Sequence, residues 1–363
     1  MRLTLRQTFV AVALLLGGCG HTIPGSLTGD GKPYDFAKQH PCTDPQPQGD
    51  QIQVRYLGSG GIYLRWRDEA ILIGPSFSNP GLIRARFLWV KPDKTRIESA
   101  LNGFELQRVA AILAGHSHYD HLADVPEIAR RLPAVPIWVN ENGKHALAGE
   151  GLGDRVRQLA VSDELTDLTP SIRFRAVESG HAPQLCRWRH FPCVYGKGPI
   201  RTDWTTPLPR HRLASMLGGE TYAFVIELHD AEVVRYRIYY NDASPDSPLG
   251  QTTGDFDLAI LCMAQWKWVR DYPRDLLAVL RPRHVLVSHW DNFFTEARQT
   301  TRFVPNLSDA GVAGFLAIVN EKVSGNAGPV SAVCGVKTPR WTMAAPASSM
   351  LFEPRPLRAE GMP

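Results

Sequence analysis

The sequence has little excess charge of either sign, because 40 Lys and Arg stand against 36 Asp and Glu, a net charge of +4 over 363 residues. No basic stretch is long enough to form a nucleic-acid-binding arm, so the charge does not favour a polyanion-binding protein. Apolar residues are not lacking: at 44% of the chain they exclude the disordered and fibrous classes. The length suits one large domain or two smaller ones.

The chain also lacks a hydrophobic run of the roughly 20 residues that a transmembrane helix needs. The apolar run Phe9–Leu16 near the start is too short, and it follows Arg2 and Arg6 and precedes small residues. This order is typical of a secretory signal peptide, here over residues 1–18.

The signal peptide ends at Leu-Gly-Gly-Cys19, which resembles a bacterial lipobox. The resemblance implies that Cys19 carries lipid and anchors the protein, and Gly20 implies the outer membrane. An ordinary cleaved signal with an incidental cysteine is the alternative. We interpret residues 19–50, which are rich in Gly, Pro, Asp and Gln, as a tether.

Cysteine is scarce, and with Cys19 reserved for lipid the remaining five leave at least one thiol unpaired. None of the spacings is that of a zinc finger. Cys186 and Cys193 lie close together in the sequence and are predicted to form a disulfide. Cys262 lies in the apolar run LAILCMA and is predicted to be a buried thiol.

From Gln51 onwards, short apolar strands alternate with amphipathic helices in two similar halves, which suggests two packed sheets with helices outside. Residues 182–220 show no clear periodicity and are interpreted as an insertion loop. The predicted domain is 51–345, followed by a C-terminal tail at 346–363. Strands are predicted at 53–57, 61–66, 69–73, 109–113, 136–139, 171–177, 221–228, 233–240, 256–262 and 284–288, and helices at 122–132, 142–149, 274–280 and 308–323.

The most informative segment is Gly-His-Ser-His-Tyr-Asp-His at residues 115–121, between a buried strand and a helix. His116 and His118 are two residues apart, so in an extended loop their side chains point the same way. Asp120 and His121, at the turn into the helix, can face a second point nearby. Because imidazole and carboxylate groups together suit zinc or a similar metal, the segment predicts a metal site.

HSHYDH resembles the HxHxDH signature of metallo-β-lactamase-fold metallohydrolases, and the resemblance covers roughly residues 51–323. It implies an α/β fold, a four-layer αββα sandwich, with three further ligands at strand ends, namely His181, Asp242 and His289. In the implied ligand sets, one metal ion is held by His116, His118 and His181, the other by Asp120, His121 and His289, and Asp242 bridges the two.

The sequence departs from the family pattern at two places. The family usually has Gly-Asp-Thr where this chain has Asn241-Asp242-Ala243, and Asp246 is the near competitor for the bridging role. Gly74 stands where relatives often carry an aspartate that supports the site.

The resemblance implies a hydrolase with two zinc ions, or other divalent transition metals, about 3.5–4 Å apart. Such a pair lowers the pKa of a shared water, so metal-bound hydroxide would attack a carbonyl carbon or a phosphorus, and Asp120 would orient it. Because the hydroxide is the nucleophile, no nucleophilic serine or cysteine is required, and no Ser/His/Asp motif stands above background.

The stretch VLVSHWDNFF around His289 resembles a branch with phosphodiesterases, N-acyl-phosphatidylethanolamine phospholipase D and sugar-phosphate lactonases. Residues 182–220 contain six basic and two acidic residues interleaved with aromatics, which could receive an anionic, partly apolar substrate or rest on an anionic membrane. Arg187, Trp188 and Arg189 are the candidate substrate contacts. A surface loop without a role is the alternative.

The leading hypothesis is a lipid-anchored dinuclear-metal hydrolase of a phosphodiester or ester, with phospholipids among the candidate substrates. It would face the periplasm from the outer membrane and have no nucleic-acid partner. One alternative is a lactone or β-lactam hydrolase, although the long insertion and the HWxxF-like ending disfavour a true β-lactamase. Another is a non-catalytic envelope binding protein with a structural metal.

Overall fold

The structure is a computed structural model, and it describes most of the chain after residue 45. Cys19, the Cys186–Cys193 pair and the candidate contacts Arg187, Trp188 and Arg189 lie outside the described residues. The described ranges are 46–79, 91–183, 198–208, 215–245, 253–293, 303–304, 307–323, 341–344 and 346–353.

The described residues form two seven-stranded mixed sheets, ordered β14-β1-β2-β3-β4-β5-β6 and β13-β12-β11-β10-β9-β8-β7. The strands are β1 (Ile52–Gly58), β2 (Gly61–Trp66), β3 (Glu69–Ile73), β4 (Val109–Leu113), β5 (Ile137–Val139), β6 (Val156–Gln158), β7 (Thr166–Asp167), β8 (Ile172–Ser179), β9 (Thr221–Asp230), β10 (Val233–Asn241), β11 (Leu258–Cys262), β12 (His284–Ser288), β13 (Trp341–Met343) and β14 (Ser349–Phe352).

Each sheet is antiparallel on one side and parallel on the other. In the first sheet, β3 to β6 run parallel, and in the second sheet β10 to β13 do. Strand β8 is separated from β10 by one antiparallel neighbour, so it runs in the same direction as β10. The carboxyl ends of β8, β10, β11 and β12 therefore lie along one edge, where polar loops can meet.

The two sheets face each other across an apolar core. Alternate residues of β1, such as Val54 and Tyr56, are completely buried, as the two-residue period of a strand requires. Aromatic pairs join the sheets: the ring of Trp66 on β2 lies 5.4 Å from that of Tyr236 on β10, and Trp138 on β5 lies 5.2 Å from Phe174 on β8. Such edge-to-face contacts fix how the sheets pack.

Helices cover both outer faces and confirm the predicted four-layer αββα sandwich. Helices α1, α3 and α4 pack with the outward residues of the first sheet, and α5 and α6 pack on the second. Among the described helices, none has the length and apolarity needed to span a bilayer. The helices are α1 (Lys94–Leu101), α2 (Tyr119–Leu122), α3 (Val125–Arg131), α4 (Glu141–Leu147), α5 (Arg274–Leu280) and α6 (Asp309–Lys322).

The single helix predicted at 122–132 is in fact two helices, α2 and α3. Pro126 lies in the first turn of α3. Proline has no N–H to donate and its ring crowds the carbonyl four residues earlier, so a helix cannot continue through it but can begin there. The short helix α2, which carries Asp120 and His121, is therefore separate from α3.

The predicted domain end at residue 345 is too early, because residues 349–352, assigned to a tail, form strand β14. It pairs antiparallel with β1, with Met350 opposite Val54. A four-residue strand is too short for its periodicity to stand out in the sequence. At the other end, Asp50 of the predicted tether forms ion pairs with Arg67 (2.9 Å) and Arg235 (2.8 Å).

The described parts of the 182–220 insertion pack against α4. Asn142 donates to the carbonyls of Gly198 and Leu217, both at 2.9 Å, and accepts from the N–H of Ile200 at 2.9 Å. Leu208 is fully buried in the apolar cluster that α4 forms with the outer face of the first sheet. Side-chain hydrogen bonds to backbone therefore hold a segment that the sequence left without periodicity. Elsewhere, Cys262 is a free, buried cysteine, as predicted.

Candidate metal centre

The 115–121 loop begins at Gly115, two residues after the end of β4, where the first sheet comes very close to the second. A Cβ at Gly115 would lie 2.5 Å from the carbonyl oxygen of Tyr222 and 3.2 Å from Asp242 Oδ1. The Tyr222 N–H donates to the Gly115 carbonyl at 2.9 Å. Only glycine permits this approach, which brings the loop against β9 and the end of β10.

His116, His118 and His181 form the first cluster of candidate ligands, and their nearest ligand atoms all lie within 4.8 Å of one another. Their rings are 4.6 to 4.8 Å apart, centroid to centroid. His181 follows β8 by two residues, and its Nδ1 lies 2.5 Å from the carbonyl oxygen of Ala182. A proton on Nδ1 shared with that oxygen leaves Nε2 free to bind a cation.

Asp120, His121 and His289 form the second cluster, again with ligand atoms within 4.8 Å of one another. Asp120 Oδ2 lies 3.3 Å from His289 Nε2 and 3.6 Å from His121 Nε2. Asp120 and His121 belong to α2, whereas His289 directly follows β12 of the other sheet. The second cluster therefore forms only when the two sheets pack together.

Asp242 lies between the two clusters. Its Oδ1 is 3.2 Å from His116 Nδ1 and its Oδ2 is 3.5 Å from His121 Nδ1. One carboxylate thus contacts a member of each cluster, the geometry expected of a bridging group. Its competitor Asp246 lies outside the described residues.

Asn241, a departure from the family pattern, ties the site's strand ends together. Its Nδ2 donates to Ser179 Oγ at 2.9 Å, and its Oδ1 accepts from the N–H of Ala243 at 2.7 Å. These bonds link the end of β10 to the end of β8, two residues before His181. In the sequence, the only sign of this role is the departure of Asn241 from the family's Gly-Asp-Thr pattern.

The electrostatics favour anionic carboxylates at Asp120 and Asp242 and neutral imidazoles at His121 and His181, whereas burial at His289 is outweighed by Asp120, which raises the pKa of that imidazole. Burial alone would raise the pKa of Asp120, but His121, His289 and His118 outweigh it and hold that pKa far below its usual value. Asp242 is shifted in the same direction by His121 and His116, again against burial. Burial lowers the pKa of His121 to about 4 and that of His181 well below its usual value. Such groups have lone pairs available for a cation near pH 7.

Unsatisfied polar atoms also fit a bound cation. Within the described residues, both ring nitrogens of His121 and Oδ2 of Asp242 are buried without a hydrogen bond. Leaving buried polar atoms unpaired costs about 1–3 kcal/mol each. A divalent metal held by imidazole and carboxylate donors would satisfy them, so these His and Asp clusters could bind metal.

Gly74, the second departure from the family pattern, has no room for a side chain. Its φ is +51°, and a Cβ there would lie 3.0 Å from His121 Nδ1 and 3.3 Å from Tyr240 Oη. The Tyr240 hydroxyl comes from the opposite sheet and donates to the Gly60 carbonyl at 2.9 Å. A tyrosine from the second sheet thus approaches the space where relatives often carry an aspartate.

An aromatic surface adjoins the second cluster. The ring of Phe293 lies 5.0 Å from that of His289 and 6.1 Å from that of Tyr119. By contrast, Trp266 packs on Phe315, at 5.7 Å, and belongs to the core of the α6 side. Phe293 and Tyr119 therefore place aromatic rings beside the second cluster.

Residues 62–242 match the family model described as the metallo-beta-lactamase superfamily. No curated protein matches the chain. Similar solved structures include Igni18, a novel metallo hydrolase from the archaeon Ignicoccus hospitalis, with 13% identity, a TM-score of 0.48, and coverage of 84% of this chain and 99% of that one. An isothiocyanate hydrolase from Delia radicum gut bacteria has 12% identity, a TM-score of 0.44, and coverage of 83% and 99%.

A further similar structure is CmlA, a diiron beta-hydroxylase from Streptomyces venezuelae. It has 14% identity and a TM-score of 0.46, and the match covers 85% of this chain but only 55% of CmlA. These distant likenesses carry no functional assignment.

Proposed function

Because this chain belongs to the metallo-β-lactamase superfamily through residues 62–242, a family of metal-dependent hydrolases, we propose that it hydrolyses a phosphodiester or ester with two zinc ions. The observation that carries the proposal is the convergence of two ligand clusters that share the carboxylate of Asp242. One ion would be held by His116, His118 and His181 and the other by Asp120, His121 and His289, with Asp242 placed to contact a member of each set.

When bound, such a metal pair supplies positive charge and a water of lowered pKa for hydrolysis. Asp120 is anionic at neutral pH, so its carboxylate accepts a hydrogen bond from the attacking water and orients it towards the substrate. A cysteine nucleophile is disfavoured at Cys262, because burial raises the pKa of this thiol far above its usual value.

The substrate has an anionic or ester group and an apolar part. Phe293 and Tyr119 offer an aromatic surface beside the ligand His289. The sequence of the 182–220 segment has a net charge of +4 and several aromatic residues. Arg187, Trp188 and Arg189 are the candidate substrate contacts within it. Basic and aromatic groups together suit the ester or phosphodiester group of a phospholipid.

The protein is anchored by a lipid on Cys19 in the outer membrane, facing the periplasm. The signal-peptide and lipobox pattern of residues 1–19 supports this location, and those residues lie outside the described part of the chain. Anchoring would keep the enzyme at a surface rich in phospholipid esters. Labelled palmitate incorporated by the wild type and absent from Cys19→Ala would support the anchor, and equal labelling would overturn it.

The decisive experiment is metal analysis of the purified protein together with hydrolysis of bis-p-nitrophenyl phosphate, p-nitrophenyl esters, a lactone and nitrocefin. The wild type is compared with Asp120→Asn and with a control, Asp257→Asn. The Asp257 carboxylate is also buried but lies at the end of β11 away from the site, where it accepts from the Arg237 N–H at 2.8 Å. For the wild type we expect about two metal equivalents and turnover of the phosphodiester or an ester. The rate of hydrolysis should fall by at least about a hundredfold in Asp120→Asn and stay unchanged in Asp257→Asn.

Other outcomes redirect the assignment. Preferential turnover of nitrocefin or the lactone would favour the alternative hydrolase. Bound metal without turnover of any substrate, together with unfolding of His116→Ala, would favour an envelope binding protein with a structural metal.

A further inference from the structure

His289 adopts a backbone conformation that its side chain disfavours. Its φ is +52°, in the left-handed region, and the residue is buried directly after β12. A non-glycine residue in this region is strained and persists only where the surroundings impose it. The residues that impose it therefore control where this candidate ligand points.

Two hydrogen-bonding groups hold the backbone around His289. The His289 N–H donates to Tyr56 Oη at 3.0 Å, and the Tyr56 hydroxyl in turn donates to Asp291 Oδ1 in a short hydrogen bond. The two oxygens of Asp291 both lie 3.2 Å from the N–H of Ser59. Tyr56, Ser59 and Asp291 are all buried, and we call these three residues the His289 clamp.

The turn between β1 and β2 fits closely against this clamp. Gly58, Ser59 and Gly60 all have positive φ, at +99°, +49° and +79°. A Cβ at Gly58 would lie 3.2 Å from Asp291 Oδ2, and one at Gly60 would lie 3.3 Å from His289 Cδ2 and from Asp242 Cβ. The first sheet thus presses a glycine-rich turn directly onto the ligands of the second sheet.

The hydroxyl of Tyr56 is hard to explain by packing alone. The side chain occupies a fully buried position of β1 in the apolar core between the sheets, alongside residues such as Val54 and Ile62. Phenylalanine would fill the same space without a polar atom. In this position the hydroxyl accepts from the N–H of His289, directly after β12, and donates to the side chain of Asp291, two residues further on.

We propose that Tyr56 and Asp291 are positioning residues that hold His289 towards Asp120 and so set the affinity for the metal ion at the Asp120, His121 and His289 cluster. The inference rests on the proposed function in one respect, the presence of a metal at this cluster. The clamp acts on one cluster only, because the side-chain hydrogen bonds of Tyr56 and Asp291 among the described residues join them to each other and to the backbone of His289, Ser59 and Gly60, and not to His118 or His181.

The test is titration of metal-free protein with Co²⁺, following the absorption spectrum of each binding step, together with competition against a chromophoric chelator. In Tyr56→Phe we expect one of the two ions to bind about 10–100-fold more weakly, with an altered spectrum, and the other to bind as in the wild type. Asp291→Asn keeps one acceptor oxygen, so it should weaken the same ion less than Asp291→Ala does.

The matched control is Tyr236→Phe. Tyr236 is also a buried tyrosine, and its hydroxyl donates to the Phe352 carbonyl at 2.7 Å. It precedes Asp242 by six residues on β10, so it lies on the order of 20 Å along the strand from the site. It should lose stability but bind both ions normally. A similar loss of affinity in Tyr236→Phe would mean that any buried hydroxyl matters, and the clamp would be overturned.

The outcomes separate the two proposals. If the wild type binds two ions and Tyr56→Phe and Asp291→Asn bind both as tightly, the clamp is wrong and the proposed function stands. If the wild type binds no ion, both proposals are wrong. If Tyr56→Phe fails to fold, the graded effect of Asp291→Asn and Asp291→Ala on one ion alone decides the matter.

Discussion

Glycines, which have no side chain to bind a metal, determine how closely the candidate ligands approach one another. Gly115 sits where a Cβ would overlap the Tyr222 carbonyl, and Gly60 and Gly74 each lie against His121. Since backbone takes the place of side chain at these positions, the first sheet can come within contact distance of Asp242 and His289. Glycine at these points is as much a part of the site as the histidines are.

Substituting Gly115 by alanine should therefore weaken metal binding through displacement of the 115–121 loop. The Cβ would meet the Tyr222 carbonyl oxygen at 2.5 Å, so loop or strand must shift. We expect at least a tenfold loss of affinity for Zn²⁺, measured by chelator competition. Gly153→Ala is the control, since a Cβ there meets nothing within 4 Å. Equal affinities in the two variants would contradict the argument.

The buried His284 should make stability depend on pH. Burial lowers its pKa from 6.5 to about 3. Its Nε2 forms a hydrogen bond with Thr342 Oγ1, at a distance of 2.9 Å. Between these values the unfolded chain binds the proton and the folded protein does not. The free energy of unfolding should thus fall as the pH falls below 6.5, by up to about 1.4 kcal/mol per pH unit from this group.

Urea unfolding of metal-free protein between pH 7 and pH 4 measures this slope. His284→Gln removes the titrating group, so its stability should decline less steeply than that of the wild type. Parallel curves for the two proteins would show that His284 is not the group responsible.

At the scale of elements, β14 closes one edge of the first sheet. It covers the free edge of β1, the strand that also carries Tyr56, and the Tyr56 N–H donates to the Ser348 carbonyl at 2.9 Å. An uncovered β1 would expose a row of unpaired backbone groups. The segment after residue 345 therefore supports the strand that reaches the metal centre.

The two faces of β14 should respond differently to truncation. Met350 is fully buried and Leu351 on the opposite face is only partly buried. Met350→Ala should lower the free energy of unfolding by about 2–5 kcal/mol. Leu351→Ala should cost less than about 1 kcal/mol. Chemical denaturation measures both, and an equal loss would mean that β14 does not pack as described.

Helix α4 holds the described parts of the 182–220 segment through Asn142. Replacing Asn142 by alanine removes three hydrogen bonds to backbone, which together stabilise by about 2–3 kcal/mol. Cleavage within residues 198–217 should become faster in limited proteolysis, while the rest of the domain stays resistant. Lys144→Ala, an exposed position on the same helix, is the control. Unchanged cleavage in Asn142→Ala would exclude this role.

At the scale of the whole molecule, the candidate metal centre belongs to neither sheet alone. His116, His118, Asp120 and His121 follow β4 of the first sheet, and the remaining ligands follow β8, β10 and β12 of the second. A cation bound there would join the two halves of the sandwich. Metal binding and folding should therefore be coupled.

Zinc should raise the melting temperature of the metal-free protein, and chelation should reverse the change. A ligand at a thousand times its Kd stabilises by about 4 kcal/mol. Asp242→Asn should reduce this shift, because the carboxylate contacts both clusters. Asp257→Asn should keep the wild-type shift, which scanning calorimetry can measure. A full shift in Asp242→Asn would argue against a bridging role.

The sequence by itself determined what is local. The spacing within residues 115–121 indicated a metal site, and the periodicity of strands such as 61–66 and 69–73 predicted the sheets, because side-chain direction follows from position along a strand or helix. Through the family resemblance it also singled out His181, Asp242 and His289, which the structure brings beside that segment.

Only the tertiary structure decided what depends on residues far apart. Tyr56 and Asp291 are 235 positions apart, and β14 pairs with a strand nearly 300 residues earlier. The space beside Gly74 is occupied by Tyr240 from the other sheet. No periodicity records such pairings, since each side chain alone reads as an ordinary core or loop residue. Their roles arise from packing two sheets face to face, which sets distances that a linear pattern does not contain.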